Sequence, residues 1–181
     1  MALSAAPAAS FYSPHDHPDF AGTPWAAALL SSPTTIPYRS GDILVEQPTP
    51  GRTNSLTAVT LNTPFTFRAL AVVTNPSGDV CLLFSLGSGM NGHESVLHGG
   101  MVTTMLDIST AAAMNTMAFT AYLNVTFKKP VPTPTVVLCR GKVVKREGRK
   151  IFVTATVEDG VGGVYAEGNA LFIKVREPAK L

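Results

Sequence analysis

The sequence GGMVTTMLDISTAAAMNTM, residues 99–117, decides the fold. After Gly100 it contains neither proline nor glycine and is rich in alanine and methionine, so we predict a helix over residues 99–117. Apolar residues occupy all sides of this helix, and Asp107 is its only charged side chain. Because a helix that is apolar all round is buried all round, we predict a central helix enclosed by the rest of the domain.

Strand patterns lie on both sides of this helix. Before it, residues 65–74 and 80–86 are apolar and β-branched, and a turn signal at residues 75–79 joins them. After it, four long runs with high strand propensity are separated by turns at residues 130–134, 147–148 and 159–163; they are residues 119–129, 135–147, 150–159 and 164–175. Strands segregated from one helix predict an α+β fold, with an antiparallel sheet wrapped around that helix.

The composition divides the chain into two parts. Residues 1–55 are rich in proline, serine, threonine and alanine, and we predict a mostly irregular N-terminal extension with one short helix near residues 25–30. Residues 56–181 then form one domain.

The low charge of the chain points to subunit contacts. Only 14% of residues are charged, while 45% are hydrophobic, and soluble proteins average about 25% charged residues. Since obligate interfaces are more apolar than exposed surface, we predict a homo-oligomer. The sequence has no apolar run of membrane-spanning length and no secretory-type N-terminus, so we expect a soluble cytoplasmic protein. Cys81 and Cys139 are expected to be free, buried thiols.

Basic residues are concentrated in one segment. Residues 128–150 contain eight of the fourteen lysines and arginines and a single acid, Glu147. Such a segment is suited to an anionic ligand, and it is equally typical of a solvated strand face. No series of stacking aromatic residues accompanies it, which disfavours a nucleic-acid partner.

Asp107 is the candidate catalytic residue. It is the only acid between Glu94 and Glu147, and a carboxylate inside apolar packing is paired, protonated or functional. The alternative is a structural aspartate that bonds a backbone amide or a nearby hydroxyl such as that of Thr103, Thr104 or Thr110.

A second candidate site opens the helix, at His98-Gly99-Gly100. Helix N-terminal amides lack partners and carry partial positive charge, so they are suited to an anion or a developing oxyanion. Simple capping by His98 and close packing at the glycines are the alternatives. Nine residues of helix span about 13 Å, so one substrate can meet both this start and Asp107 only if a second copy supplies one of them.

Other motifs carry less weight. The sequence has no Gly-x-Ser-x-Gly, which disfavours a serine hydrolase, and Gly87-Ser88-Gly89 lacks the spacing of a dinucleotide loop. The histidines and acids of residues 15–19 lie in the extension without metal-ligand spacing.

Several stretches resemble the hotdog-fold thioesterases of the PaaI-like, acyl-CoA thioesterase branch. The likeness covers residues 60–176, and PWAAALL at 24–30 is similar to the extensions of fungal members. The matching stretches are GHESVLHGGMVTTMLD at 92–107, TAYLNVTFKKPVP at 120–132, EGRK at 147–150 and AEGNALFI at 166–173.

The resemblance implies a hotdog fold that dimerises edge to edge, as a homodimer or homotetramer, with active sites at the interface. His98 and the Gly99 amide of one subunit would bind the thioester carbonyl, beside Gly100. Asp107 of the other subunit would act as general base or nucleophile, assisted by Thr120. The remaining implied site residues are the basic groups that would bind the CoA phosphates, Lys128, Lys129, Arg149 and Lys150.

By the same resemblance, the partner is a small acyl thioester, and no metal or cofactor is needed beyond the coenzyme A of the substrate. Asn91 lies near the position of an asparagine that serves some members, and its role stays open. Two alternatives to an acyl-CoA or acyl-carrier thioesterase also remain. One is a hotdog enzyme of secondary metabolism that isomerises, cyclises or dehydrates an acyl or polyketide intermediate, and the other is a non-catalytic acyl-binding oligomer.

Overall fold

The computed structural model describes residues 18–37, 55–74 and 79–176. Three helices have the bounds α1 Pro18–Ala21, α2 Pro24–Ser31 and α3 Gly99–Met114. The strands are β1 Thr35–Pro37, β2 Phe67–Thr74, β3 Asp79–Leu86, β4 Asn91–His93, β5 Val96–Leu97, β6 Ala118–Phe127, β7 Thr135–Glu147, β8 Lys150–Glu158 and β9 Val164–Lys174. A π-helical turn at Leu56–Thr60 and a 3-10 turn at Ser88–Met90 complete the order.

One antiparallel sheet dominates the described residues, with strand order β1-β2-β3-β7-β8-β9-β6. Strands β4 and β5 form a separate short pair just before α3. The long helix α3 packs on the inner face of the sheet, against β3, β7, β8, β9 and β6. The prediction of an α+β hotdog fold, with an antiparallel sheet wrapped around one long helix, is confirmed.

The helix ends earlier than the sequence predicted. We expected it to reach residue 117, but α3 stops at Met114 because Asn115 adopts a left-handed conformation with φ 48°. Asparagine tolerates that region better than most residues, and it commonly ends helices in this way. From the neighbouring strand, the Arg146 guanidinium donates to the Met114 carbonyl oxygen at 3.0 Å, which satisfies one of the last free carbonyls of the helix.

Alternation along the strands divides the sheet into two faces. Inward residues such as Phe84, Val137 and Val157 form the main core with Met105 and Leu106 of α3. A second cluster lies on the outer face, where Phe20, Ala26 and Leu30 of the N-terminal helices cover apolar residues of β3 and β7, namely Cys81, Leu83 and Leu138. Residues 18–37 therefore add an outer layer and, through β1, an edge strand. Cys81 and Cys139 are buried thiols that form no disulfide, as predicted.

Glycines permit two close approaches. At Gly87 an added Cβ would lie 2.3 Å from the Phe65 carbonyl oxygen, so the glycine-rich loop allows the segment before β2 to pack against it. At Gly141 on β7 an added Cβ would lie 2.3 Å from the Ser109 carbonyl oxygen of α3. Helix and sheet are in backbone contact at this point, which fixes the position of α3 on the sheet.

Gly141→Ala is expected to lower the free energy of unfolding by at least about 2 kcal/mol, because the methyl group must push α3 away from β7. Urea denaturation measures this change. The matched control is Gly22→Ala, where an added Cβ meets nothing within 4 Å, and its effect should stay below about 1 kcal/mol. Equal stability of the two variants would contradict the backbone contact.

Candidate active site

His98 caps the start of α3. Its backbone is extended (φ −60°, ψ 133°), and its ring Nδ1 accepts a hydrogen bond from the Gly100 amide at 2.9 Å. Its carbonyl oxygen accepts from the Met101 amide at 2.8 Å. The imidazole thus does what a capping asparagine or serine does elsewhere, and only its neutral form can accept at Nδ1.

Capping leaves one amide open at the helix start. In the part of the chain that the structure describes, the Gly99 amide has no hydrogen-bond partner, and Gly99 and Gly100 are both exposed. An added Cβ at Gly99 would meet only the Phe127 ring, at 3.6 Å, whereas one at Gly100 would lie 3.0 Å from His98 Nδ1. There is free space for a ligand group beside Gly99.

Asp107 lies two turns further along α3 and is half-buried. Its Oδ1 accepts a hydrogen bond from the Thr120 hydroxyl of β6 at 3.1 Å. Within the described residues Oδ2 has no partner. Thr103 and Thr104 donate their hydroxyls to the carbonyls of Gly99 and Gly100, and Thr110 donates to the backbone carbonyl of Asp107. The carboxylate is therefore oriented by one side chain and is not occupied by local backbone contacts.

The prediction that α3 is buried all round is wrong for the single chain. Buried residues, including Met105, Leu106 and Ser109, occupy the side facing the sheet. Thr103, Thr104 and Asp107 are only half-buried, because among the described residues the sheet ends at β6 and no further strand covers this side of the helix. Asp107 thus lies on an open strip of helix surface beside the edge strand.

The same strip holds both halves of the candidate site but keeps them apart. Helix α3 is unbroken from Gly99 to Asp107, so eight residues of rise separate them by about 12 Å. Asp107 and Thr120 lie together, and His98, Gly99 and Gly100 lie together. The single chain does not bring the two groups onto one small substrate.

The edge strand β6 exposes large apolar side chains. Phe119 is 70% exposed, Phe127 56% and Tyr122 44%, and Met117 just before the strand is 70% exposed. Exposed apolar groups on an unpaired strand edge mark a surface for association. This edge runs alongside the open strip of α3.

The four predicted phosphate-binding residues fall into two groups. Lys128 forms an ion pair with Glu167, and Lys129 follows it, both just past the end of β6 and near the start of α3. Arg149 donates from Nε to the Lys174 carbonyl oxygen at 3.0 Å in the β7–β8 turn, beside Lys150. The Arg146 contact with Met114 places that turn at the opposite end of α3. Within one chain these residues do not form a single basic patch.

Two contacts near the helix start were missed by the sequence analysis. Thr133 is buried, and its hydroxyl donates to Asn91 Oδ1 at 2.5 Å. This bond holds the asparagine carboxamide in β4, next to the point where the His98 amide bonds the Met90 carbonyl oxygen. Phe127 packs its ring beside Gly99. Both contacts join residues far apart in the sequence, so no local pattern indicates them.

No described residues form a group of three or more histidine, cysteine, aspartate or glutamate side chains able to hold a metal ion. Among the same residues, the structure contains no helix of the length and apolarity needed to cross a bilayer.

A sheet curled around one helix, with a carboxylate on that helix beside an open edge strand, defines a hotdog-fold protein. Residues 94–166 match the family model described as the thioesterase superfamily. This match lies within the stretch for which the sequence resemblance predicted a hotdog-fold thioesterase.

Named relatives and solved structures agree with this match. The chain is 40% identical over 101 residues to the mouse protein named acyl-coenzyme A thioesterase THEM4, a match covering 54% of this chain and 44% of the relative. The bovine protein of the same name is 39% identical over 102 residues, covering 56% and 42%. The chain thus matches less than half the length of these relatives.

Solved structures share the fold at lower identity. Zebrafish thioesterase superfamily member 2 aligns with a TM-score of 0.53 and 21% identity, over 59% of this chain and 81% of that one. A putative thioesterase related to phenylacetic acid degradation, from Ralstonia eutropha, aligns with a TM-score of 0.55 and 22% identity, over 71% and 92%.

His98→Ala is expected to lower the free energy of unfolding by about 1 kcal/mol, because the Gly100 amide loses its cap. His98→Asn supplies another acceptor at the same position and should stay within a few tenths of a kcal/mol of the wild type. Thermal and urea denaturation measure the stability of both variants. An alanine variant as stable as the wild type would show that the contact contributes nothing.

Proposed function

We propose that this protein hydrolyses an acyl thioester, with coenzyme A as the thiol, to a carboxylic acid and a free thiol. One observation carries the proposal: the Asp107 carboxylate lies on an open helix strip with one oxygen held by Thr120 and the other without a described partner. A carboxylate placed in this way is able to receive a proton from a bound water.

The reaction follows from the two ends of the strip. The thioester carbonyl oxygen accepts a hydrogen bond from the Gly99 amide, at the positive end of the α3 dipole. Water attacks the carbonyl carbon as Asp107 takes one of its protons, and a tetrahedral oxyanion forms beside Gly99. Collapse of this intermediate breaks the carbon–sulfur bond, and the leaving thiolate takes the proton from Asp107. Thr120 orients the carboxylate throughout.

The site requires two copies of the chain. In a two-fold dimer built by antiparallel pairing of β6 with its own copy, the two α3 helices lie side by side in opposite directions. A two-fold axis opposite Thr103, midway between Gly99 and Asp107, brings the carboxylate of one copy to the open amide of the other. The pairing also covers the apolar edge of β6. We propose a homodimer as the smallest active unit.

The same symmetry gathers the basic residues. Lys128 and Lys129 follow one end of β6, and Arg149 and Lys150 lie beyond its other end in the turn next to β9. Antiparallel pairing of two copies places the first pair of one chain at the same end as the second pair of the other. The four cations then surround one site and are suited to the phosphates of coenzyme A.

The names of the relatives support the same reaction. Proteins 36–40% identical over about 100 residues are named acyl-coenzyme A thioesterases. A hotdog enzyme of secondary metabolism that isomerises, cyclises or dehydrates its substrate, and a non-catalytic acyl-binding oligomer, both predict no free-thiol release from acyl-CoA. An assay of thiol release therefore separates the thioesterase from both alternatives.

Asp107→Asn is expected to reduce kcat for acyl-CoA hydrolysis at least about 10²-fold, because the amide cannot accept the proton from water. Free-thiol release measures this. The control Glu147→Gln also removes one carboxylate charge, but from an exposed residue paired with Lys145, and should keep wild-type activity. Full activity of the Asp107 variant would remove this residue from the mechanism.

Gly99→Ala tests the open amide separately. The added methyl makes only ordinary contact with Phe127 in the chain itself, so stability and oligomeric state should be preserved. It would occupy the space of the thioester carbonyl, and a displacement of about 1 Å can reduce the rate about 10²-fold. Wild-type kcat/KM in a folded Gly99→Ala variant would show that no carbonyl binds there.

A further inference from the structure

A cavity of about 360 Å³ lies outside the strip of α3, at the end of the sheet where β3 ends and β7 begins. The proposed mechanism does not use it. Its wall combines residues of the N-terminal layer with residues of the hotdog core. The residues that line it include Trp25, Tyr165, Asp159, Ser85 and Pro134.

Trp25 lines this cavity and packs against two other parts of the chain. Its indole lies directly on the β8–β9 turn, since an added Cβ at Gly160 would be 2.1 Å from the ring. Gly160 has φ +78°, a conformation that disfavours any larger residue. On either side of Trp25, Phe20 and Leu30 are buried against the outer face of the sheet, and Asp19 forms an ion pair with Arg68 at 3.1 Å.

Asp159 presents a fixed acceptor. Its Oδ1 accepts from the amides of Val161 and Gly163 at 2.9 and 2.8 Å. These two backbone bonds lower the pKa of Asp159, so the carboxylate is charged at neutral pH. In the part of the chain that is described, no residue donates to Oδ2. On the same cavity wall, burial and then the Asp159 charge raise the pKa of Tyr165, whose hydroxyl stays neutral.

A ligand for this cavity therefore has a flat π face for the indole and a hydrogen-bond donor for the carboxylate. An isolated phosphate fails the second condition, because Asp159 repels it. The volume fits the lower part of the range for small-molecule sites, about 300–1,000 Å³. A purine base with an exocyclic amine satisfies both conditions, and the Ser85 hydroxyl lies on the same wall.

The cavity adjoins the proposed active site. The amides of Lys128 and Lys129 donate to the Tyr165 carbonyl oxygen at 2.8 and 3.1 Å, so the end of β6 is bound to the cavity wall. Phe127, two residues before Lys129, packs beside Gly99. Two residues of extended chain span about 7 Å, so this is the distance along the backbone from Phe127 to Lys129. The charge of Lys129 also lowers the pKa of Asp159, so this lysine acts on the carboxylate that lines the cavity.

We propose that this cavity binds the adenine of the coenzyme A substrate, stacked on Trp25 with its amine directed at Asp159, and that the N-terminal layer thereby selects CoA esters over carrier-bound esters. The proposal rests on the proposed thioesterase function for its substrate but not for its binding test. In this arrangement the phosphates of the bound coenzyme A would lie beside Lys128 and Lys129, and the rest of the molecule would extend from there to Gly99.

Trp25 is the single tryptophan of the chain, so its fluorescence reports the cavity directly. Adenosine 3′,5′-bisphosphate and CoA are expected to quench this emission saturably, whereas pantetheine is not. Asp159→Asn keeps the acceptor for the turn amides but loses the second acceptor, and it should weaken the quenching constant several-fold. Quenching by tetramethylammonium but not by the adenosine nucleotide would overturn the proposal in favour of a cation site.

Kinetics provide the second test. Stacking of a base on an aromatic ring contributes about tenfold or more to affinity. Trp25→Ala should therefore raise KM for acyl-CoA about tenfold or more, while kcat and the hydrolysis of the N-acetylcysteamine thioester stay unchanged. The control Leu29→Ala removes a residue of the same outer cluster that does not line the cavity, and it should leave KM near the wild-type value.

The two proposals fail separately. If no thioester is hydrolysed but the adenosine nucleotide still quenches Trp25, the cavity assignment stands and the thioesterase assignment falls. If acyl-CoA is hydrolysed but Trp25→Ala affects both thioesters equally, or neither, the cavity assignment is wrong.

Discussion

The rigid spacing along α3 is the constraint on which the rest of the structure depends. The backbone contact at Gly141 fixes the helix on the sheet, and the unbroken helix fixes Gly99 and Asp107 about 12 Å apart. No side-chain rotation closes such a gap. A chemistry that needs an amide and a carboxylate at one carbonyl carbon must therefore draw them from two helices. We propose that a second copy attaches at the exposed apolar edge of β6.

The open strip of helix also resolves the electrostatic problem that Asp107 poses. A fully buried, unpaired carboxylate would cost several kcal/mol. In the single chain the Asp107 carboxylate is only half-buried and accepts a hydrogen bond from Thr120. The monomer can therefore fold without the full desolvation free energy of a buried carboxylate. Dimerisation would then remove the remaining water from the strip. In the proposed dimer, partial exposure in the chain and enclosure in the assembly would be two stages of forming one site.

The sequence predicted the fold well because local patterns determine most of it. The strand runs were located to within a few residues, since alternation and turn residues are local signals, and Asn115 shifted the end of the helix by only three residues. The half-open face of α3 was missed, because hydropathy cannot distinguish a core from an uncovered interface. Strand β1, the Thr133–Asn91 bond and the contact of Trp25 with Gly160 join distant segments, and no local pattern carries them.

The central claim is that one active site is assembled from two chains, and complementation between inactive chains tests it most directly. Asp107→Asn and Gly99→Val chains, each inactive alone, are unfolded together, refolded as a mixture and assayed for acyl-CoA hydrolysis. In a mixed dimer one site carries both substitutions and the other carries neither. Random pairing makes about half of the dimers mixed, so about a quarter of the wild-type activity should be restored. A mixture as inactive as its components, with mixed dimers demonstrated by mass, would show that each chain carries its own complete site and would contradict the account.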